Sequence, residues 1–219
     1  MNGRHVMADR DTLIAKLRTD GITDQRVLEA IARVPRERFL PPAVASRAYE
    51  DVALPVAEGQ TISQPFVVAA MTQALALTGT ERVLEIGTGT GYQTAVLALL
   101  AAEVVSVERL PALAATARNV LADLGYANVS LVVADGTKGY PPRAPYDAIL
   151  VAAAGPRVPV ALAGQLAVNP PGRLVMPVGP RHEQQLLVLQ GDPHSRGLRY
   201  LFPVRFVPLV GEEGWEELL

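Results

Sequence analysis

The segment Val83-Leu84-Glu85-Ile86-Gly87-Thr88-Gly89-Thr90-Gly91-Tyr92 limits the possible folds more than any other part of the chain. An apolar run enters three glycines at alternate positions, and an Ala/Leu-rich stretch follows. A buried strand, a tight turn and a helix satisfy that order. Glycine lacks a Cβ, so the backbone can turn sharply there and a ligand can approach closely. In an open α/β sheet such a turn lies at the carboxyl end of a strand, where strand order reverses. The bare alternative is a glycine turn that holds no ligand, which would carry a large conformational entropy penalty without local benefit.

The flanking pattern supports an α/β fold. Short apolar strands are predicted at 82–86, 104–108, 129–134, 146–152 and 173–178. Helices are predicted at 92–101, from Pro111 to near Gly125, and at 159–168. Strands alternating with helices indicate βαβ units and a doubly wound, mostly parallel sheet covered on both faces. Two helices precede this region. Leu13, Ile14 and Leu17 mark the first, which Gly21 stops. The second is predicted to start at an N-cap Thr23, to carry Val27, Leu28, Ile31 and Val34, and to end at Pro35. A loop-rich stretch covers 41–64, and Pro65 opens a helix to about Leu77 as an N1 proline. Beyond the fifth strand, 184–190 and 197–209 read as an antiparallel hairpin turning at Gly191, Asp192, Pro193 and His194.

Composition narrows the function classes. The 219 residues suit one large domain, and a 49% hydrophobic content permits a well-buried core. Lys+Arg number 20 against 22 Asp+Glu, so no general attraction to nucleic acid or anionic membranes follows. There is no cysteine, which removes thiolate chemistry and Cys-ligated metals. His5, His182 and His194 are scattered, and no metal site is expected. The first residues have no apolar leader, and no apolar run approaches the roughly 20 residues of a membrane-spanning helix. A cytoplasmic protein is expected, with no nucleic-acid or membrane partner, and a monomer.

The glycine pattern separates the nucleotide-binding classes. G-x-G-x-x-G would suit a nicotinamide dinucleotide, but here the third glycine comes one residue early and position 92 is Tyr. No G-x-x-x-x-G-K-[ST] occurs, so a P-loop is absent. Glu108 ends the second strand 21 residues after Gly87, where a carboxylate can accept hydrogen bonds from both ribose hydroxyls. Alone it would read as a solvated strand-end charge. Asp135-Gly136 follows the third strand and alone is only a turn signal.

An acidic residue, Glu85, followed by Gly87, Gly89 and Gly91 resembles motif I of the Rossmann-like class I methyltransferases, which bind S-adenosyl-L-methionine. A narrower resemblance is carried by several segments in order. They are Val56-Ala57-Glu58-Gly59-Gln60-Thr61-Ile62-Ser63-Gln64-Pro65, Val83 to Ala95, Ser106-Val107-Glu108-Arg109, and Tyr146-Asp147-Ala148-Ile149. Gly172-Arg173-Leu174-Val175-Met176-Pro177-Val178-Gly179 and Val204-Arg205-Phe206-Val207-Pro208-Leu209 complete the set. Together, from about Thr23 to Val210, they resemble the protein-L-isoaspartate (D-aspartate) O-methyltransferases. The chain departs from that pattern at Ala134, where the family more often has Gly, and at Asn169-Pro170-Pro171. The first ten residues and Glu212, Glu213, Glu216 and Glu217 lie outside it.

The resemblance implies a helical cap and substrate loop in 1–80 packed on a cofactor-binding core in 81–219, as one compact domain. It implies that Ile62, Glu85, Gly87, Thr88, Gly89, Gly91, Glu108, Asp135 and Gly136 hold S-adenosyl-L-methionine, with S-adenosyl-L-homocysteine as product and no metal. Asp135 would face the adenine amino group. Gln60, Thr61, Val207, Pro208 and Leu209 would hold the acceptor, and Ser63 would be catalytic. The implied reaction methylates the free α-carboxylate of an L-isoaspartyl residue in damaged proteins and peptides, with a D-aspartyl residue as a second candidate acceptor. The ester then closes to a succinimide, whose hydrolysis returns some aspartyl peptide. A carboxylate with a pKa of about 3.5–4 is already ionised near neutrality and needs no general base. Alignment and exclusion of water remain for the protein to supply. Ser63 could instead help to cap the helix at Pro65, as could Thr61. Other readings are a class I methyltransferase for a different small-molecule or protein acceptor, a non-catalytic S-adenosylmethionine-binding module, and an NAD-linked oxidoreductase.

Overall fold

The computed structural model describes residues 9–191 and 197–216. Two helices begin the chain, α1 (Arg10–Thr19) and α2 (Gln25–Arg33). Asp9 caps α1 by accepting the Thr12 N–H at 2.8 Å. Asp24, not Thr23, caps α2, accepting from the Arg26 N–H at 2.9 Å. Thr23 is drawn elsewhere, because its own N–H donates to the Gln73 side chain at 2.7 Å. A small antiparallel ladder follows, β1 (Leu54–Pro55) against β2 (Thr61–Ile62). Next comes α3 (Pro65–Leu75), with proline in its first turn as the sequence predicts.

The core elements are β3 (Arg82–Ile86), α4 (Tyr92–Ala98), β4 (Glu103–Glu108), α5 (Pro111–Asp123) and β5 (Val129–Val133). They continue as β6 (Ala148–Val151), α6 (Val160–Ala163), β7 (Arg173–Val178), β8 (Gln184–Gln190) and β9 (Gly197–Val204). The seven-stranded sheet has the order β5-β4-β3-β6-β7-β8-β9. Strands β3 to β7 are parallel, while β8 and β9 are antiparallel additions. Of the predicted turn between those two strands, Gly191 is described; Asp192, Pro193 and His194 lie outside the described residues. Strand order reverses between β3 and β6, so the crevice of this fold opens where Gly87 and Ala152 leave the sheet.

Alternation along the strands divides the core into two faces. Val83, Val104, Leu150 and Val175 join a cluster with Leu13, Leu17, Leu28 and Met71 of the N-terminal helices. Leu84, Val105, Ile149 and Leu174 join a cluster on the other face with Leu162 and Leu166. All four residues of β6 are buried, as a central parallel strand requires. Each such Val, Leu or Ile contributes about 1.5–3 kcal/mol on burial.

Several predicted elements are shorter than their apolar runs. Helix α4 ends at Ala98 because the Ala102 and Glu103 N–H groups already donate to the Glu81 carbonyl, which starts β4. Strand β6 starts at Ala148, and Tyr146 instead bridges Leu166. That bridge, with the Gln165 side chain donating to Lys138 and Ala161 carbonyls, stops α6 after one turn. Strand β9 ends at Val204. Beyond it the Phe206 N–H donates to the Gln184 side chain, and Ala154 exchanges backbone hydrogen bonds with Val207 and Leu209, both at 2.8 Å. Residues 205–209 therefore leave the sheet edge and cross the carboxyl ends of the central strands. Among the described residues, no helix is long and apolar enough to cross a membrane.

Candidate active site

The glycine turn builds the floor of the main cavity. Gly87, Gly89 and Gly91 all have positive φ, at 90°, 54° and 92°. They differ in what a side chain would meet. A Cβ on Gly89 would meet no atom within 4 Å and would project into open space. A Cβ on Gly91 would press on Ala117 and Leu121 of α5 at 3.3 Å. Gly89 thus leaves room for a ligand, whereas Gly91 permits close packing of α4 on α5. Gly136 stands against Ile86 with no room for a Cβ.

Glu108 ends β4 beside this turn. One carboxylate oxygen accepts the Gly89 N–H at 2.9 Å and the other accepts the Leu110 N–H at 3.0 Å. Glu108 lines the cavity with Ile62, Gly87, Thr88, Gly89 and Gly136. Each oxygen keeps a further lone pair that can accept from a ligand. A carboxylate beside a glycine-rich turn fits the diol of a nucleoside and repels a phosphate.

Gln60, Thr61, Ser63, Val207, Pro208 and Leu209 form the opposite wall of the same cavity. A second groove runs from Ala53 and Phe66 along Phe202 to Val207. The two cavities share Thr61, Ser63, Ala152 and Val207. Ser63 is half-buried at this junction, and its hydroxyl has no partner among the described residues. It does not cap α3. That helix has no side-chain cap from Gln64, and its Phe66 N–H donates to Asp51 at 2.8 Å.

Glu85, Gly91 and Asp135 do not line the cavity. Glu85 is fully buried beneath the turn and accepts from the Thr94 and Ser106 hydroxyls at 2.5 and 2.6 Å. Ser106 also pairs with Thr88 at 2.6 Å, so Glu85 reaches the cavity wall only through hydroxyls. Its second oxygen has no partner. Burial pushes its pKa up to about 7 against the lowering effect of both hydroxyls, and the charge on Glu108 adds to the rise. Asp135 is turned toward Thr137 and the Glu212 N–H. Burial alone would raise its pKa, but these donors hold it below the usual carboxylate value.

Sequence reasoning missed Tyr92, Arg109, Leu113 and Ala152, which also line the cavity. Ala152 had a readable signal, since it follows the strand at the point of reversal. Among the described residues, no group of three or more potential ligands could hold a metal ion.

The sequence matches the family model for protein-L-isoaspartate(D-aspartate) O-methyltransferase over residues 8–214. The chain belongs to that family. A protein-L-isoaspartate O-methyltransferase of Methanoculleus marisnigri is 53% identical over 92% of this chain and 90% of its own. One of Rhodopseudomonas palustris, named protein-L-isoaspartate O-methyltransferase 1, is 51% identical over 95% and 85%. A solved structure of a protein-L-isoaspartate O-methyltransferase superposes with a TM-score of 0.82 at 32% identity, covering 94% of this chain and 67% of that one. A putative family member from Plasmodium falciparum, solved with S-adenosyl-L-homocysteine, shares the fold at 22% identity, with a TM-score of 0.77 over 91% of this chain and 97% of that one.

Proposed function

We propose that this chain methylates the α-carboxylate of L-isoaspartyl residues in damaged proteins and peptides, with S-adenosyl-L-methionine as the methyl donor. The carrying observation is the unclaimed Ser63 hydroxyl on the wall between a cavity suited to a nucleoside and an open groove. When bound, the donor supplies an electrophilic methyl group on a positively charged sulfur. Glu108 would hold the ribose hydroxyls, with Gly87 and Gly89 clearing space and Ile62 and Gly136 forming apolar contacts.

The residues around Ser63 supply the rest. Its hydroxyl donates to an acceptor carboxylate, a charge-assisted bond that fixes one oxygen in direction. Residues 60–62 and 207–209 offer backbone and apolar surface to an extended acceptor. No base is needed, and the cavity wall presents no histidine or cysteine. Holding the reacting atoms in line can supply several kcal/mol of the barrier reduction. The isoaspartyl acceptor joins its neighbour through the side-chain carboxyl and leaves the α-carboxylate free, which gives Ser63 its target. Methylated, that group can close to a succinimide without enzymatic help.

The test uses two peptides that differ only in an L-isoaspartyl or normal aspartyl linkage. Methylation of the first alone is expected. Donor binding with methylation of neither peptide would move the function to another acceptor or to a binding role, and no donor binding would end the proposal.

A further inference from the structure

We propose that Asp51 is the positioning residue that holds Ser63 at the junction of the two cavities. This rests on the reading of Ser63 given above. Asp51 touches neither cavity, so it acts only through the chain that it binds. Helix α3 starts at Pro65, and its first-turn N–H groups need acceptors. Local residues supply none. Asp51, outside the helix, accepts the Phe66 N–H at 2.8 Å with one oxygen and the Gln64 side-chain amide at 3.1 Å with the other. Its side chain is only 6% exposed, and the Lys16 ammonium stands 3.6 Å away. A carboxylate at a helix N-terminus is favoured by the helix dipole, and partial burial strengthens both bonds.

The chain between Asp51 and Phe66 forms the β1–β2 ladder, with Leu54 opposite Ile62 and Pro55 opposite Thr61. The Asp51 bonds close the base of that hairpin. Ser63 is thereby fixed from both sides, by the ladder at Thr61 and Ile62 and by Asp51 at Gln64 and Phe66. The same arrangement keeps the hydroxyl free. A serine that capped its own helix would spend its oxygen on the backbone; here a distant carboxylate does the capping.

The test compares wild type, D51A, D51N and S63A in initial-rate kinetics on an isoaspartyl peptide, with calorimetric binding of S-adenosyl-L-methionine. Wild-type turnover that is lost in S63A establishes the reading on which this inference rests. D51A is then expected to lower kcat by about tenfold to a hundredfold, with donor affinity within about twofold of wild type. D51N keeps an acceptor for the Phe66 N–H and is expected to recover most of kcat. A D51A enzyme with wild-type kcat would overturn the inference. So would a fall in kcat matched by an equal loss of donor affinity, or no recovery in D51N, since either marks general damage. Full turnover in S63A would overturn the role of Ser63 and this inference together. No methylation by wild type would be the failure of the functional reading itself.

Discussion

Glu108 accepts the Gly89 N–H at 2.9 Å, so the acid that can grip a sugar and the glycine that clears space for it form one unit. On the proposed reading, replacing Glu108 removes more than a ligand contact, because the turn also loses an internal acceptor. E108A is expected to weaken S-adenosyl-L-methionine binding by about 1.5–3 kcal/mol, the range for hydrogen bonds to charged groups. Calorimetric titration reads this directly. Unchanged affinity would remove Glu108 from the donor site.

Ser63 is expected to act on turnover rather than on donor binding. S63A should lower kcat by about a hundredfold, the order associated with misaligned reacting groups. Its affinity for S-adenosyl-L-methionine should match that of wild type. The two parameters come from peptide kinetics and calorimetry, and an unaltered kcat would refute the assignment.

Two glycines of the same turn should respond differently to alanine. In G89A the added Cβ meets no protein atom, so the stability loss is limited to the left-handed backbone, about 1–2 kcal/mol. Donor affinity should fall by a larger factor, because the methyl enters the cavity. In G91A the added Cβ presses on Ala117 and Leu121 as well, so the melting temperature should fall further than in G89A. Thermal melts of both variants with and without donor separate the two effects. Equal losses in both measurements would contradict the division of labour.

Glu85 sets a pH dependence of stability. Its carboxyl is pushed up to about 7 in the fold from an ordinary value of 4.5. The folded state therefore binds the proton more tightly than the unfolded state. The stability this provides is complete below the ordinary value and is lost as pH rises through the folded one. The loss accumulates across that window, where the folded state holds the extra proton. E85Q has no such titration, so the stability difference between wild type and E85Q should move against wild type between pH 5 and pH 8. Urea unfolding at both values checks it, and a constant difference would show that Glu85 does not titrate in this range.

Much of this was legible in the sequence, and the limits have physical causes. Strands β3, β7 and β8 matched their predicted bounds because apolar runs between turn residues are local signals. Residues 60–63 and 207–209 were flagged by resemblance, and the fold brings them to one wall. The one-turn α6 was not legible, since Gln165 stops it through contacts with Lys138 and Tyr140. Nor was the orientation of Asp135, which depends on an amide 77 residues away. Asp51 escaped notice for the same reason. Its partners lie beyond a hairpin, and no pattern of period two or 3.6 records such a contact.

The uncommitted hydroxyl of Ser63 also bears on how the cycle ends. A hydroxyl binds an anion more strongly than the neutral ester made from it. On the proposed reading, methylation would therefore loosen the hold of Ser63 on the product and favour its release. Ring closure of the released ester would then take place away from the protein, where a flexible backbone can fold back on itself.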